Sequence, residues 1–229
     1  MWPPDDERFE DRAAAGRALG DAVVAHLGQL ATAGLGRPLV LGLLRGGVPV
    51  GIEVAKAIGA DFDLIITTKI GLPWQPDLSV GAIAEGGPPV FDHNSLACVG
   101  LHVGDLGPAV QRERLELGKR QERYRGARPP ADPAKRVVVL VDDGIATGIV
   151  ARAAVRAVRA AEPSHLVYAA PVCAAECHDW LSDETDAVID LQCPREFHAL
   201  GMYYRDFTPL TNEDLVRATA TVWGGKVTA

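Results

Sequence analysis

Cysteine is scarce in this chain. There are four in 229 residues, Cys98, Cys173, Cys177 and Cys193, and no two stand as a Cys-x-x-Cys pair. That spacing argues against a structural zinc framework, so plain buried or surface thiols are expected, with Cys173 and Cys177 spaced as helix neighbours. No apolar run approaches the ~20 residues of a membrane helix, so no membrane partner is expected. The opening MWPPDDERFEDR is acidic and lacks the apolar centre of a signal peptide, which leads to a cytoplasmic expectation. Basic residues are outnumbered, 23 Lys and Arg against 30 Asp and Glu, for a net charge of −7. With no basic stripe or helix-turn-helix pattern, nucleic acid is not an expected partner. Internal repeats and low-complexity tracts are absent. So are the dinucleotide fingerprint G-x-G-x-x-G and the nucleotide loop G-x-x-x-x-G-K-[ST], since no Lys follows Gly148. No convincing Ser-His-Asp or Cys-His set offers a covalent nucleophile.

Apolar residues are plentiful, at 48%. That suffices for a sizeable core in a single α/β domain. An amphipathic N-terminal helix is expected over DERFEDRAAAGRALGDAVVAHLGQL, with Phe9, Leu19, Val23, Val24, Leu27 and Leu30 on its apolar side. Short strands follow at RPLVLGLL, DLIITTKI and SVGAIAE, with the helix VPVGIEVAKAIG after the first, closed by Gly59. Residues 86–133 are less regular and hold a charged helix, AVQRERLELGKRQERYRG, whose polar face is solvated or covers an opening. The strand RVVVLV, the helix IVARAAVRAVRAA and the strands HLVYAAPV and DAVIDL come next. A last helix, NEDLVRATATVWG, has Asn212 as its N-cap. Strands apolar throughout and alternating with helices indicate a mostly parallel sheet covered on both faces. Ligands of such sheets bind beyond the carboxyl ends of the strands, and Arg45, Lys69 and Asp142 all fall at predicted strand ends.

The segment VVVLVDDGIATG, Val137 to Gly148, carries the strongest signal. A single Asp after a strand is an ordinary turn or cap residue. Two in a row at the mouth of a buried strand repel one another and call for a cation or a ligand rich in hydroxyl donors. Adjacent carboxylates suit the vicinal hydroxyls of a ribose. The small-residue loop behind them leads into a helix, so its amides and the Thr147 hydroxyl form a cradle for an anion such as a 5-phosphate.

This segment resembles the PRPP-binding motif of type I phosphoribosyltransferases: an apolar run, two acids, and a loop ending in Thr-Gly before a helix. LGLLRGGVPVGIEVA, TKIGLPWQPDLSVGAIAEGG and FHALGMYYRDF are similar to blocks of a subfamily of predicted bacterial phosphoribosyltransferases. Matching blocks run from about Phe9 to Phe207, and 88–106 match poorly. The resemblance implies a type I phosphoribosyltransferase fold: one domain over 1–229, with a core of about 9–192, a small C-terminal hood of about 193–229 and a flexible lid loop. It implies that Asp142 and Asp143 hold the ribose hydroxyls and that Gly144, Ile145, Ala146, Thr147 and Gly148 wrap the 5-phosphate. Arg45, Gly46 and Gly47 match the pyrophosphate loop, where a non-proline cis peptide is common, and Lys69 matches a basic residue near the diphosphate. Asp142, Asp143, Arg45 and Lys69 are the candidate catalytic set.

The implied reaction is transfer of a 5-phosphoribosyl group from PRPP to a nucleobase or other small heteroaromatic acceptor, with Mg²⁺ carried by PRPP and touching Asp142 and Asp143 at most. The lid is expected in IGLPWQPDLSVGAIAEGG, with Gly71 as hinge and Trp74 as shield. The hood is expected in PREFHALGMYYRDF, with Phe197, Tyr203 and Phe207 against the acceptor ring, Tyr204 as a further aromatic face, and His198 and Asp206 as polar readers. Glu85 reads as a solvated carboxylate. Ala146 stands where 6-oxopurine enzymes carry an acid, which argues against hypoxanthine or guanine as acceptor. A homodimer is the expected assembly. The competing reading is a PRPP or nucleotide sensor without turnover.

Overall fold

The computed structural model describes residues 4–30, 36–72 and 74–224. Pro73 of the expected lid and 225–229 of the expected hood lie outside them. Five strands form one parallel sheet: β1 (Leu39–Leu43), β2 (Asp61–Ile65), β6 (Val137–Val141), β7 (His165–Val172) and β8 (Ala187–Gln192). Their spatial order is β2-β1-β6-β7-β8, and every pairing is parallel. Three further strands, β3 (Thr67–Gly71), β4 (Ser79–Ala84) and β5 (Val90–Phe91), form a separate antiparallel sheet. The helices are α1 (Arg12–Leu27), α2 (Gly47–Ile58), α3 (His93–Cys98), α4 (Gly107–Arg125), α5 (Ile149–Arg159), α6 (Ala175–Glu184) and α7 (Asn212–Trp223).

The period-2 alternation of the strands sorts the core into two layers. Val40, Val139, Val141, Val167 and Ala169 face α1, α2 and α7. Leu39, Leu41, Leu43, Val138, Leu140, Leu166 and Tyr168 face α5 and α6. Both faces are therefore covered, which is why β1, β6 and nearly all of β7 are buried. α2 leaves β1 toward one face and α5 leaves β6 toward the other. β1 and β6 are neighbours, so the strand order reverses between them, and it is past the carboxyl ends at such a point that ligands of these sheets bind.

The apolar run expected as one strand, DLIITTKI, is two. It breaks at Ile66, where β2 leaves the parallel sheet and β3 enters the antiparallel one. Lys69 is thus in the middle of β3, opposite Ala82, rather than at the end of a core strand. The turn at Ile66 is closed by a buried ionic cluster. Arg125 donates to both Glu85 oxygens (2.7 and 2.9 Å) and to the Leu64 carbonyl (2.9 Å), and it meets Asp63 at 3.3 Å. Glu85 also accepts from the Ile66 amide and from Gln121. The Glu85 carboxylate is therefore largely shielded and engaged by Arg125, Gln121 and the Ile66 amide, not solvated. The charged helix α4 covers β3 and brings Arg125 there, with Leu117 and Tyr124 in the core.

Three local boundaries differ from expectation. α1 begins at Arg12 behind an N-cap at Asp11, and Phe9 instead bridges to Tyr204. Leu19 and Val23 are buried, but Val24 is 46% exposed. α7 is capped by Thr211, whose hydroxyl accepts from the Asp214 amide, and Asn212 is the first helical residue, accepting from the Tyr124 hydroxyl. Cys173 directly follows β7 while Cys177 lies on α6, so the two are not on one helix.

Candidate active site

The two acids stand at the point where the strand order reverses. β6 ends at Val141, and Asp142 and Asp143 follow at once. Asp142 accepts the Asp143 amide at 2.9 Å, a bond that turns the chain out of the sheet. Burial, and then repulsion from Asp143, hold the Asp142 carboxyl well above its ordinary value. Asp143 is 8% exposed and forms an ion pair with Arg12 at 2.7 Å. Its carbonyl accepts the Tyr204 hydroxyl at 2.5 Å.

The loop after β1 packs directly on this pair. The Leu44–Arg45 peptide is cis, and Gly46 and Gly47 follow it. A Cβ on Gly46 would sit 1.8 Å from the Asp143 carboxylate, and one on Gly47 would sit 2.2 Å from the Val141 carbonyl. Only hydrogen fits at either position, so two glycines are a steric requirement of the approach. The Arg45 side chain is exposed, donates to the Leu210 carbonyl at 3.1 Å, and lines a small 150 Å³ pocket with Lys119, Arg120 and Arg123 of α4. Four cations and one carboxylate, Glu116, share that pocket, in a chain that is acidic overall.

The loop 144–148 is braced from below. Ile145 donates to Val172 and accepts from Ala174, and the Cys177 thiol reaches the Ala146 carbonyl. Gly148 takes φ +72° as it leads into α5, with Trp180 packed against its α-carbon. No side chain caps α5, so the amides of its first turn are left as donors. They face a cleft of 790 Å³ that Ala146, Thr147, Gly148 and Arg152 share with Lys69, His93 and Asn94 on the opposite wall. The structure thus brings Lys69 to the Thr147 loop rather than to Arg45. Arg152 lies over the Trp180 ring at 4.4 Å.

The aromatic segment after β8 closes over the acids. Leu200 packs on Gly144, Tyr204 is fully buried, and Phe207 meets Tyr204 at a tilt, with Arg12 over the Phe207 ring at 3.9 Å. Phe197 and Tyr203 stack on each other at 5.8 Å, with Tyr203 buried. Tyr203 and Tyr204 are therefore core residues of this segment, while Phe197 and Phe207 are half-exposed. His198 and Asp206 are exposed, and Asp206 accepts from the Thr208 amide and hydroxyl. In the expected lid, β3 and β4 are joined through 72–78, and Trp74 is 61% exposed. Gly71 is packed on the Pro76 carbonyl, a close approach that explains its glycine without a hinge.

Sequence reasoning missed Arg12, the α4 cations and Arg152. Arg12 stands 131 residues before its partner, and no spacing rule connects them. Arg152 follows Gly148 by one helical turn, which places it over the start of α5, and that signal was available.

Comparison with known proteins agrees with this geometry. A family model described as "Phosphoribosyl transferase domain" matches residues 10–199. Two Mycobacterium tuberculosis proteins, from strains CDC 1551 and H37Rv, each named "Putative phosphoribosyl transferase", are 36% identical over 208 residues. Those residues are 91% of this chain and 45% of each relative, so the chain spans less than half the length of the curated proteins it matches. The crystal structure of TT1426 from Thermus thermophilus is 39% identical, with a TM-score of 0.75 over 94% of this chain and 99% of that one. The AQ2163 protein of Aquifex aeolicus shares the fold at 9% identity and a TM-score of 0.51, over 83% of this chain and 78% of that one. The chain belongs to the phosphoribosyl transferase domain family, and its folded core is the α/β sheet of that family.

Proposed function

We propose that the chain transfers a 5-phosphoribosyl group from PRPP to a small heteroaromatic acceptor, releasing pyrophosphate. One observation carries the reading. The Asp142–Asp143 pair, the glycines of the β1 loop and the open amides of α5 meet at the point where strand order reverses. Such an arrangement suits a sugar carrying phosphate at both ends.

The Asp pair accepts from the ribose hydroxyls, and the loop 144–148 takes the 5-phosphate. Departure of pyrophosphate leaves an oxocarbenium-like ribosyl centre, so the protein's work is positioning and stabilisation of the leaving charge. Arg45 and the neighbouring Lys119, Arg120 and Arg123 are suited to receive that charge. Arg152 stands beside the phosphate loop at the start of α5, and Lys69 shares the same cleft. The partly exposed Phe197, stacked on Tyr203, is the available platform for the acceptor, whereas the Phe207 ring is already engaged by Tyr204 and Arg12.

Mg²⁺ fits this donor set in a limited way. One oxygen of Asp142 is taken by the Asp143 amide and one of Asp143 by Arg12, which leaves two hard carboxylate oxygens rather than a cage. That matches an ion held chiefly by substrate phosphates, as Mg²⁺ usually is. When bound, the ion neutralises leaving-group charge. The protein's own share is to hold ribose and phosphates in line and to keep water away.

The test is pyrophosphate release from PRPP and Mg²⁺ against pooled bases and heteroaromatic acids. Release with one pool, lost in Asp142→Asn/Asp143→Asn, is the expected result. Full turnover in that double variant would refute the assignment. Saturable PRPP binding with no turnover in any pool would favour the sensor reading.

A further inference from the structure

We infer that His178, Asp190 and Cys193 form a binding site for a divalent transition metal of the zinc type, at the β8 edge of the parallel sheet. The site lies outside the transferase machinery and does not depend on that reading. His178 stands on α6, Asp190 in β8, and Cys193 immediately after β8. An imidazole nitrogen, a carboxylate oxygen and a thiol sulfur, one from each, lie within 4.8 Å of one another.

Those are the three donor types that zinc takes from proteins, and three protein ligands leave one position for water or an outside ligand. Metal–donor bonds of ~2.0–2.3 Å set tetrahedral donors roughly 3.4–3.8 Å apart. The cluster therefore closes on an ion by a shift of about an ångström, and Cys193, on an exposed stretch, is free to make it. His178 Nδ1 and Asp190 Oδ1 are already 2.7 Å apart. Two ligands of one ion stand farther apart than that, so binding would replace this hydrogen bond with one metal–donor bond from each residue.

An ion would take the Cys193 sulfur as thiolate, releasing its proton on binding. The sulfur also separates this site from any Mg²⁺ that arrives with substrate, because magnesium prefers oxygen alone. The plain alternative is a His–Asp pair with a thiol nearby.

The position gives the ion a mechanical role. Cys193 opens the segment whose Leu200 and Tyr204 cover Gly144 and Asp143. Next to it, Gln192 donates to the Glu7 carbonyl at 2.6 Å. An ion on Cys193 would fasten the start of this covering segment to α6 and β8. The absence of Cys-x-x-Cys spacing hides the site in the sequence. The donors converge only because β8 lies against α6.

The experiment uses the full chain, untagged and stripped of metal, titrated with Co²⁺ and then Zn²⁺. The expected result is one equivalent bound, with a thiolate-to-cobalt charge-transfer band that Zn²⁺ abolishes and a large excess of Mg²⁺ does not. Cys193→Ser should remove the band, and Cys98→Ser and Cys177→Ser should keep it. Asp190→Asn and His178→Ala should each weaken Zn²⁺ binding at least about tenfold. Circular dichroism of each metal-free variant establishes that it folds, and Zn²⁺ should raise the unfolding temperature of the native chain but not of Cys193→Ser. Binding well below one equivalent, absence of the band, or a band that survives in Cys193→Ser would overturn the proposal. None of these readouts involves PRPP, so failure here and failure of the transferase reading are distinguishable.

Discussion

The contact between the β1 loop and the acid pair predicts an ordered series of glycine variants. Carbon atoms in contact settle at ~3.5–4.0 Å. The methyl of Gly47→Ala would lie 2.2 Å from the Val141 carbonyl and 2.9 Å from the Asp142 α-carbon. Both neighbours are backbone of β6 and its exit, so no rotamer relieves the overlap. Overpacking costs about 1–3 kcal/mol, and an overlap above an ångström on backbone belongs at the top, about 3 kcal/mol. The methyl of Gly46→Ala meets instead the Asp143 carboxylate, at 1.8 Å. A side chain can swing away, but doing so breaks the 2.7 Å pair with Arg12. Gly46→Ala should therefore lose less stability than Gly47→Ala, yet lose PRPP affinity at least about tenfold, which is about 1.4 kcal/mol. Gly118→Ala is the control. It is exposed within α4 with nothing inside 4 Å, and alanine should gain about 1 kcal/mol there. Urea unfolding at constant m should order the midpoints Gly118→Ala, native, Gly46→Ala, Gly47→Ala. A Gly47→Ala midpoint equal to the native one would refute the packing argument. Unchanged PRPP binding by Gly46→Ala, measured by calorimetry, would refute the placement of Asp143 in the site.

Two further outcomes follow from buried charge. Asp142 has its carboxyl raised above 3.8 by burial and by Asp143, so its protonated form is the one the fold favours. Its contribution is intact below that ordinary value and is lost as pH rises through the raised one; Asp142→Asn should thus melt above the native chain at about pH 8, with the gap closing toward about pH 4. A gap independent of pH would contradict the assignment. Arg125→Ala leaves Asp63 and Glu85 buried without their cation and should cost about 3–5 kcal/mol in urea unfolding. A loss below about 1 kcal/mol would mean that the cluster is hydrated in solution.

The legible parts of the molecule were those written in short-range pattern. VVVLVDDGIATG revealed strand, acid pair, loop and α5 together, because all four are consecutive in the chain. α2 and its glycine stop were equally local. DLIITTKI misled because no Gly, Pro or Asn marks Ile66, where the backbone changes sheets, and the residues on both sides of it are buried up to Lys69. Thr211 and Asn212 are both competent caps, and adjacent candidates are separated only by the backbone geometry around them. Glu85 and Arg125 meet across 40 residues, and Arg12 and Asp143 across 131. Pairings at that range are set by topology, which residue pattern does not encode.

The clamp at Ile66 and Glu85 has a consequence for how this family can change. The β3–β4 hairpin starts beside Ile66 and ends at Glu85, the two share two hydrogen bonds, and Arg125 locks the end of the hairpin. Everything between them is a loop whose ends are already joined. Lengthening a closed loop is cheap, about 0.6 kcal/mol for each doubling. Insertions within 72–78 should therefore be absorbed without disturbing the five-stranded sheet, and new specificity can be acquired there by length as readily as by substitution.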